Sequence, residues 1–251
     1  MKKLTALVCI ACITASSLTK ADTILGGYIG AQAWAMGLSG GVANQRDTTD
    51  FSFDDKTNVN LHAALEHPIP LVPNIKVARL SLGNQGVTRL SNAYSFGGQL
   101  YRTDTAVQAE LDLSQTDITL YYEILDNDLI SADVGLTARQ LDGNVMVSEV
   151  DGNRQSSTQV SGVLPMLYGK LKVGLPITSL GLYVEGNYLS IDEHSISDLQ
   201  AGIIYNFAES FALDMDLQLG YRQSSIDLED LDNLYSELDF SGIYLGLEFD
   251  F

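Results

Sequence analysis

From Gly242 to Phe251 the chain alternates strictly, with Ile243, Leu245, Leu247, Phe249 and Phe251 on one side and Gly242, Tyr244, Gly246, Glu248 and Asp250 on the other. A period of two makes two clean faces only on a β-strand. Segments of similar pattern recur from Thr23 onward, separated by Gly-, Asp-, Asn- and Pro-rich connections, which is the weak per-segment signal of a membrane barrel. Ten strands are predicted, at 23–36, 57–66, 75–82, 105–124, 130–140, 159–173, 180–191, 196–207, 211–222 and 237–251. The fold class they imply is all-β, an antiparallel up-and-down transmembrane β-barrel, with eight or twelve strands as the even-numbered alternatives.

The faces differ in clarity. In the first strand Leu25, Ile29, Ala31, Ala33 and Ala35 oppose Tyr28, Gln32 and Trp34, and so many small residues leave the lipid side ambiguous. The second sets Val59, Leu61, Ala63 and Leu65 outward and Asn58, Asn60, His62 and Glu66 inward. Residues 67–74 carry three of the five prolines, and each Pro removes a ladder donor, so this is a rigid turn. In the third strand Lys76 and Arg79 fall on opposite faces and leave the register open.

The fourth segment decides the count. Its apolar residues occupy odd positions at Val107, Ala109, Leu111 and Leu113 but even ones at Ile118, Leu120, Tyr122 and Ile124, so the phase slips at 114–117. A hairpin there would make an odd total, whereas bacterial single-chain barrels have even counts. The expectation is therefore one bulged strand with both apolar sets outward. Long polar loops are expected at 38–56, 83–102, 141–157 and 223–236 on one side of the membrane, and short turns on the other, with 192–195 as the exception. Outward Tyr122, Tyr205, Phe207, Phe211, Phe249 and Phe251 at one height, and Tyr188 and Tyr221 at the other, are placed to form interfacial girdles.

The start of the chain reads as a secretory leader. Lys2 and Lys3 precede the apolar run 4–13, and Thr19-Lys20-Ala21 offers a cleavage site after Ala21, so 1–21 is expected to be removed and 22–251 to form the barrel. Both cysteines, Cys9 and Cys12, lie in that leader, which rules out disulfides and thiolate chemistry beyond it. Without Lys2, Lys3 and Lys20, 11 basic residues face 32 acidic ones, a formal charge of −21. That sign excludes nucleic acid as a partner. A hydrophobic content of 45% with no apolar run of helical spanning length leaves a closed barrel as the way to satisfy every backbone group in lipid.

The leader, ITLYYEILDN at 118–127, EHPIPLVPN at 66–74 and EFDF at 248–251 together resemble a family of small outer-membrane β-barrel proteins of gammaproteobacteria to which no activity is assigned. The resemblance implies a fold and a location in the cell outer membrane of a Gram-negative bacterium, and supplies no catalytic residue. Partners expected on this reading are outer-membrane lipids and lipopolysaccharide, periplasmic chaperones and the barrel-assembly machinery, with Leu245, Leu247, Phe249 and Phe251 as the assembly signal.

Candidate chemistry is sparse. Inward charges are expected at Glu123, Asp133, Arg139, Lys170, Lys172, Glu185, Asp214, Asp216, Arg222 and Glu248, with Glu66, Asp198 and Asp250 as surplus carboxylates and Tyr121, Tyr168, Tyr183 and Tyr244 as bulky fill. His62, beside Asn60 and Glu66, is the histidine placed for catalysis, but no nucleophile motif accompanies it. His67 falls in the proline turn and His194 in a loop beside Asp192 and Glu193. The acidic run 227–233 lacks the spacing and glycine of a calcium loop and reads as a solvated loop that collects cations against lipopolysaccharide phosphates. No cofactor, catalytic residue or metal ligand is assigned. The function expected is a non-enzymatic structural or interaction role, with a narrow, porin-like cation or solute channel and a lipid- or peptide-modifying membrane enzyme as alternatives. A small barrel also predicts a lumen filled by side chains.

Overall fold

The computed structural model describes residues 25–44, 48–127, 129–191, 194–210, 213–231 and 234–251. The proposed leader lies outside them, as do Phe211, Asp192 and Glu193. The strands are β1 (Gly26–Ala43), β2 (Thr49–Asp50), β3 (Ser52–Phe53), β4 (Lys56–Glu66), β5 (Asn74–Leu80), β6 (Gly83–Arg89), β7 (Tyr94–Phe96), β8 (Gln99–Tyr101), β9 (Ala106–Asp126), β10 (Ile130–Glu149), β11 (Gln155–Gly174), β12 (Leu180–Ile191), β13 (His194–Glu209), β14 (Asp214–Leu231) and β15 (Leu234–Asp250).

Antiparallel pairing runs β10-β11-β12-β13-β14-β15-β1-β4-β5-β9, and β9 pairs back onto β10, so the sheet closes. β5 and β6 form one stave. Both pair with β9 in a single register, Leu80 with Gln115 and Gly83 with Asp112, and Leu113 N donates to Leu82 O across the gap between them. The result is a closed barrel of ten staves. Its seam holds to the last residue, since Gly27 and Phe251 exchange two backbone hydrogen bonds of 3.0 and 2.9 Å. Closure removes the open edges that a flat sheet of this size would expose.

The phase slip in β9 has a different cause from the one expected. Pairing with β10 passes without a break through Ser114, Gln115, Thr116 and Asp117, and the one irregularity lies lower, beside Ala132 and Asp133. Odd positions point inward above that irregularity, from buried Val107, Ala109, Leu111 and Leu113 through Gln115 to Tyr121. There is no bulge at 114–117, and Val107 to Leu113 face in rather than out. The strand keeps its phase while its surroundings change. Beside lipid the outward face is apolar and the inward one polar; above the lipid the outward face meets water and the inward one builds a core.

The same inversion occurs around the ring at matched heights. In β15 exposed Glu237 and Asp239 give way to Ile243 and Leu245 outward, while buried Leu238 and Phe240 give way to Tyr244 and Glu248 inward. In β14 outward Leu217, Leu219 and Tyr221 are followed by Gln223, and inward Asp216, Gln218 and Arg222 by Ser224, Ile226 and Leu228. In β10 inward Thr137 and Arg139 are followed by Leu141, Val145 and Val147. Pairing aligns these switches, Ser241 with Gly37 and with Gln223, and Gln140 with Thr116 and with Val163. A band of exposed Leu, Ile, Val and Ala thus girdles the barrel below one level, as lipid requires.

The expected loops shrink accordingly. Strand extends through most of 141–157, where Asp142 and Asn144 face water and Gly143 leaves room for Leu113, whose Cδ2 would lie 2.7 Å from a Cβ there. β1 continues to Ala43, and β14 and β15 take up most of 223–236, so 227–231 of the acidic run stand on strand, while Asp232 and Asn233 lie outside the described residues. Residues 83–102 hold the upper half of a stave and the β7-β8 hairpin. That hairpin tucks Tyr94, Phe96 and Tyr101 into the barrel top, where the Tyr94 and Tyr101 hydroxyls donate to Val42 O and Val147 O.

Candidate functional site: the barrel lumen

Within the membrane band the lumen is polar and filled. Register explains which groups meet, because staves far apart in sequence place inward residues at one height. Lys76, whose face the sequence left open, points inward and pairs with Glu185, which also accepts from Tyr168 and Gln200. His62 Nε2 lies 2.7 Å from Glu248 Oε2. Gly30 makes this contact possible, since a Cβ there would sit 2.5 Å from the His62 ring.

One level up is the strongest charge cluster. Asp198 accepts from Arg222 Nε at 2.9 Å and Nη2 at 2.7 Å, and from Arg139 Nη2 at 3.0 Å, while Asp117 takes Arg139 in a fork of 2.8 and 2.6 Å. Two guanidinium groups thus hold two carboxylates in bidentate geometry, which fixes orientation as well as charge. Beside it Gln32, Asn60 and Gln218 join in side-chain hydrogen bonds, and the Tyr183 and Tyr244 hydroxyls meet. The Arg222 guanidinium lies 5.1 Å above the Trp34 ring, where the polar lumen meets the apolar core.

Above that plane Trp34, Met36, Leu38, Leu82, Leu111, Val145, Phe240 and the hairpin aromatics close the bore with side chains that are almost wholly buried. The remaining space in the lumen centre is about 50 Å³, lined by Gln32, His62, Lys76, Tyr168, Glu185 and their neighbours. That is room for a few water molecules.

The residues singled out in the sequence distribute as follows. Arg139, Arg222, Glu185, Glu248, Asp133 and Asp216 are buried inside, and Lys170 stands 4.9 Å over the Tyr28 ring. Lys172 Nζ lies 3.6 Å from Asp216 Oδ2. Glu123 accepts from Asn74 at the lower rim, and Asp214 accepts from Ser210 N at a turn. Leu245, Leu247, Phe249 and Phe251 all lie on the outer face of β15 or just beyond it. His67 closes the proline turn onto Pro73 O and Asn74. His194 Nδ1 accepts from Glu229 N, tying two neighbouring hairpins together. Nothing in the spacing of the segments places Asp117 with Arg139, and only the register brings them opposite each other.

At the lower mouth, which carries Gly27, Phe251 and the short turns, a cavity of about 300 Å³ opens between Tyr28, Glu66, Glu123, Asp133, Lys170, Glu248 and Asp250. Glu248, which meets His62, belongs to its wall.

No protein-family model matches the chain, and no curated protein matches it either. Among solved structures, the transport unit of the autotransporter AIDA-I from Escherichia coli is 10% identical, with 94% of this chain and 93% of that one covered and a TM-score of 0.41. The outer membrane protease OmpT from Escherichia coli is 10% identical over 94% of this chain and 99% of its own, with a TM-score of 0.49. The toluene transporter TodX from P. putida is 7% identical over 90% and 89%, with a TM-score of 0.31. At these values no activity is carried over from any of them.

Proposed function

We propose that this chain is an integral outer-membrane protein with a closed lumen and a non-enzymatic, structural or interaction role. A closed barrel with an apolar band, preceded by a segment that reads as a secretory leader, suits export to that membrane. On this reading its partners are the surrounding lipid and lipopolysaccharide, with periplasmic chaperones and the barrel-assembly machinery during biogenesis, the latter reading Leu245 to Phe251.

The observation that carries the reading is the doubly blocked bore, with the Arg139, Asp117, Asp198 and Arg222 cluster below and the apolar core around Trp34 and Phe240 above. A conducting path needs a continuous wet bore, and small barrels fill theirs with side chains. A lipid- or peptide-modifying enzyme needs a cavity that admits substrate, whereas His62 borders about 50 Å³. The interacting parts are then the strands that rise above the lipid, with acidic Asp227, Glu237 and Asp239 on their outer face, suited to divalent cations that bridge lipopolysaccharide phosphates.

Purified protein in planar bilayers is expected to give no steady conductance. Stable openings on the nanosiemens scale would overturn the reading in favour of a porin-like role, and a small cation-selective current would favour the narrow channel.

A further inference from the structure

Three carboxylates converge at the lower mouth for a reason the sequence hides. Asp216 of β14 and Glu248 of β15 are directly paired across the ladder, and Asp250 follows two residues later on the same inward face. Like charges directly opposite one another oppose strand pairing. Yet one oxygen from each of the three lies within 4.8 Å of the others.

The local compensation is incomplete. Glu248 spends Oε2 on His62. Asp216 is 2% exposed, and its Oδ2 is 3.6 Å from Lys172 Nζ, beyond hydrogen-bond reach, while its Oδ1 has no hydrogen-bond partner among the described residues. Asp133, on the wall of the adjoining vestibule, is 6% exposed, and its Oδ1 likewise has no hydrogen-bond partner among the described residues. A buried carboxylate oxygen without a partner is costly, and a cation is the group that removes that cost for several carboxylates at once.

We propose that Asp216, Glu248 and Asp250 bind one divalent cation, Ca²⁺ in preference to Mg²⁺, at the lower mouth of the lumen. Oxygen-only donors select hard cations. Ligands at about 2.4 Å from Ca²⁺ stand at most about 4.8 Å apart, a limit inside which the three oxygens fall, and Ca²⁺ tolerates the irregular geometry of a site fixed by a strand ladder where Mg²⁺ demands an octahedron. The vestibule of about 300 Å³ gives the ion an entry path and space for completing waters. The ion bridges β14 to β15 beside the seam with β1, so its binding staples the barrel where the chain closes. The inference goes beyond the proposed role and holds whether or not the lumen conducts.

The test uses the barrel folded in detergent and stripped with chelator. Calorimetric titration with CaCl₂ is expected to show one ion per barrel, with affinity for MgCl₂ at least tenfold weaker. Asp216→Asn and Asp250→Asn should each weaken Ca²⁺ at least tenfold, whereas Asp142→Asn on the water-facing side of β10 leaves it unchanged. A second readout separates a metal site from a merely structural one. In chelator Asp216→Asn should unfold at a urea midpoint equal to or above that of the unaltered chain, and added Ca²⁺ should raise the midpoint of the unaltered chain alone. Independently of any variant, Tb³⁺ bound there lies close to Tyr28, and its tyrosine-sensitised emission should be quenched by Ca²⁺. Absence of saturable Ca²⁺ binding, or binding that survives both Asn variants, overturns the proposal.

Discussion

At the scale of single residues, a side chain's worth depends on height as much as on face. Leu245 and Asp239 share the outer face of β15, six residues apart, yet one meets lipid and the other water. Arginine on the outer face of a barrel costs about 2 to 4 kcal/mol at the bilayer midplane and little at the interface. Leu245→Arg should therefore lower the urea midpoint of the barrel in lipid vesicles, and Asp239→Arg should leave it level or raise it by relieving the acidic patch. Equal losses for both variants would contradict the position assigned to the membrane. Composition and alternation placed Leu245 correctly. They could not place Lys76, because Lys76 and Arg79 are equally polar, and only the neighbouring staves reveal that Lys76 faces Glu185 while Arg79 donates to Thr116 on the outer surface.

At the scale of elements, all ten staves were legible as strand segments, but most of their upper halves were not. Periodicity reports which positions are apolar, not which direction is apolar, so the inversion in β9 looks like a slip in register when the register is intact. Glycine, Asp and Asn at 142–144 look like a turn for a related reason, since on a strand in water they are simply its wet face and its tight inner contact. The lumen charges were largely legible as inward positions, whereas their partners depend on stagger between staves, which no single segment encodes. The upper β14-β15 hairpin carries its own prediction. Asp227 pairs directly with Glu237. Burial, then the Asp239 and Glu237 charges, push the Asp227 carboxyl above its ordinary value of 3.8. A carboxyl raised by folding is less stable ionised in the folded chain than in the unfolded one, so its charge opposes folding at neutral pH, and that opposition fades as pH falls through the raised value. Asp227→Asn is thus expected to raise the urea midpoint at pH 7, with the gain shrinking towards pH 4. A midpoint that falls at pH 7 would mean that the carboxylate is held by a favourable partner.

At the scale of the whole molecule, the barrel is two structures on one set of strands. The lower part is inside out relative to a soluble protein, with Leu and Ile facing lipid and ion pairs within; the upper part is a conventional β-protein with an apolar core and a wet exterior. Buried ion pairs of this kind contribute little net stability against apolar replacements, while removing one partner is costly. They are retained here in a lumen too narrow to leave open, and the apolar core above seals what they leave. Both halves depend on the level at which the faces exchange roles, near Ser241, Gly37 and Gln140. That level is directly measurable, because the chain from Leu25 onward contains no cysteine and accepts single spin labels without background. With labels placed one at a time on the outer face of β15, at Glu237, Asp239, Ser241, Ile243 and Leu245, in protein reconstituted into bilayers, collision rates with oxygen and with a water-soluble nickel chelate fix the depth of each. Nickel access is expected at Glu237 and Asp239, a crossover at Ser241, and oxygen access with nickel exclusion at Ile243 and Leu245. Nickel access along the whole face would contradict that crossover.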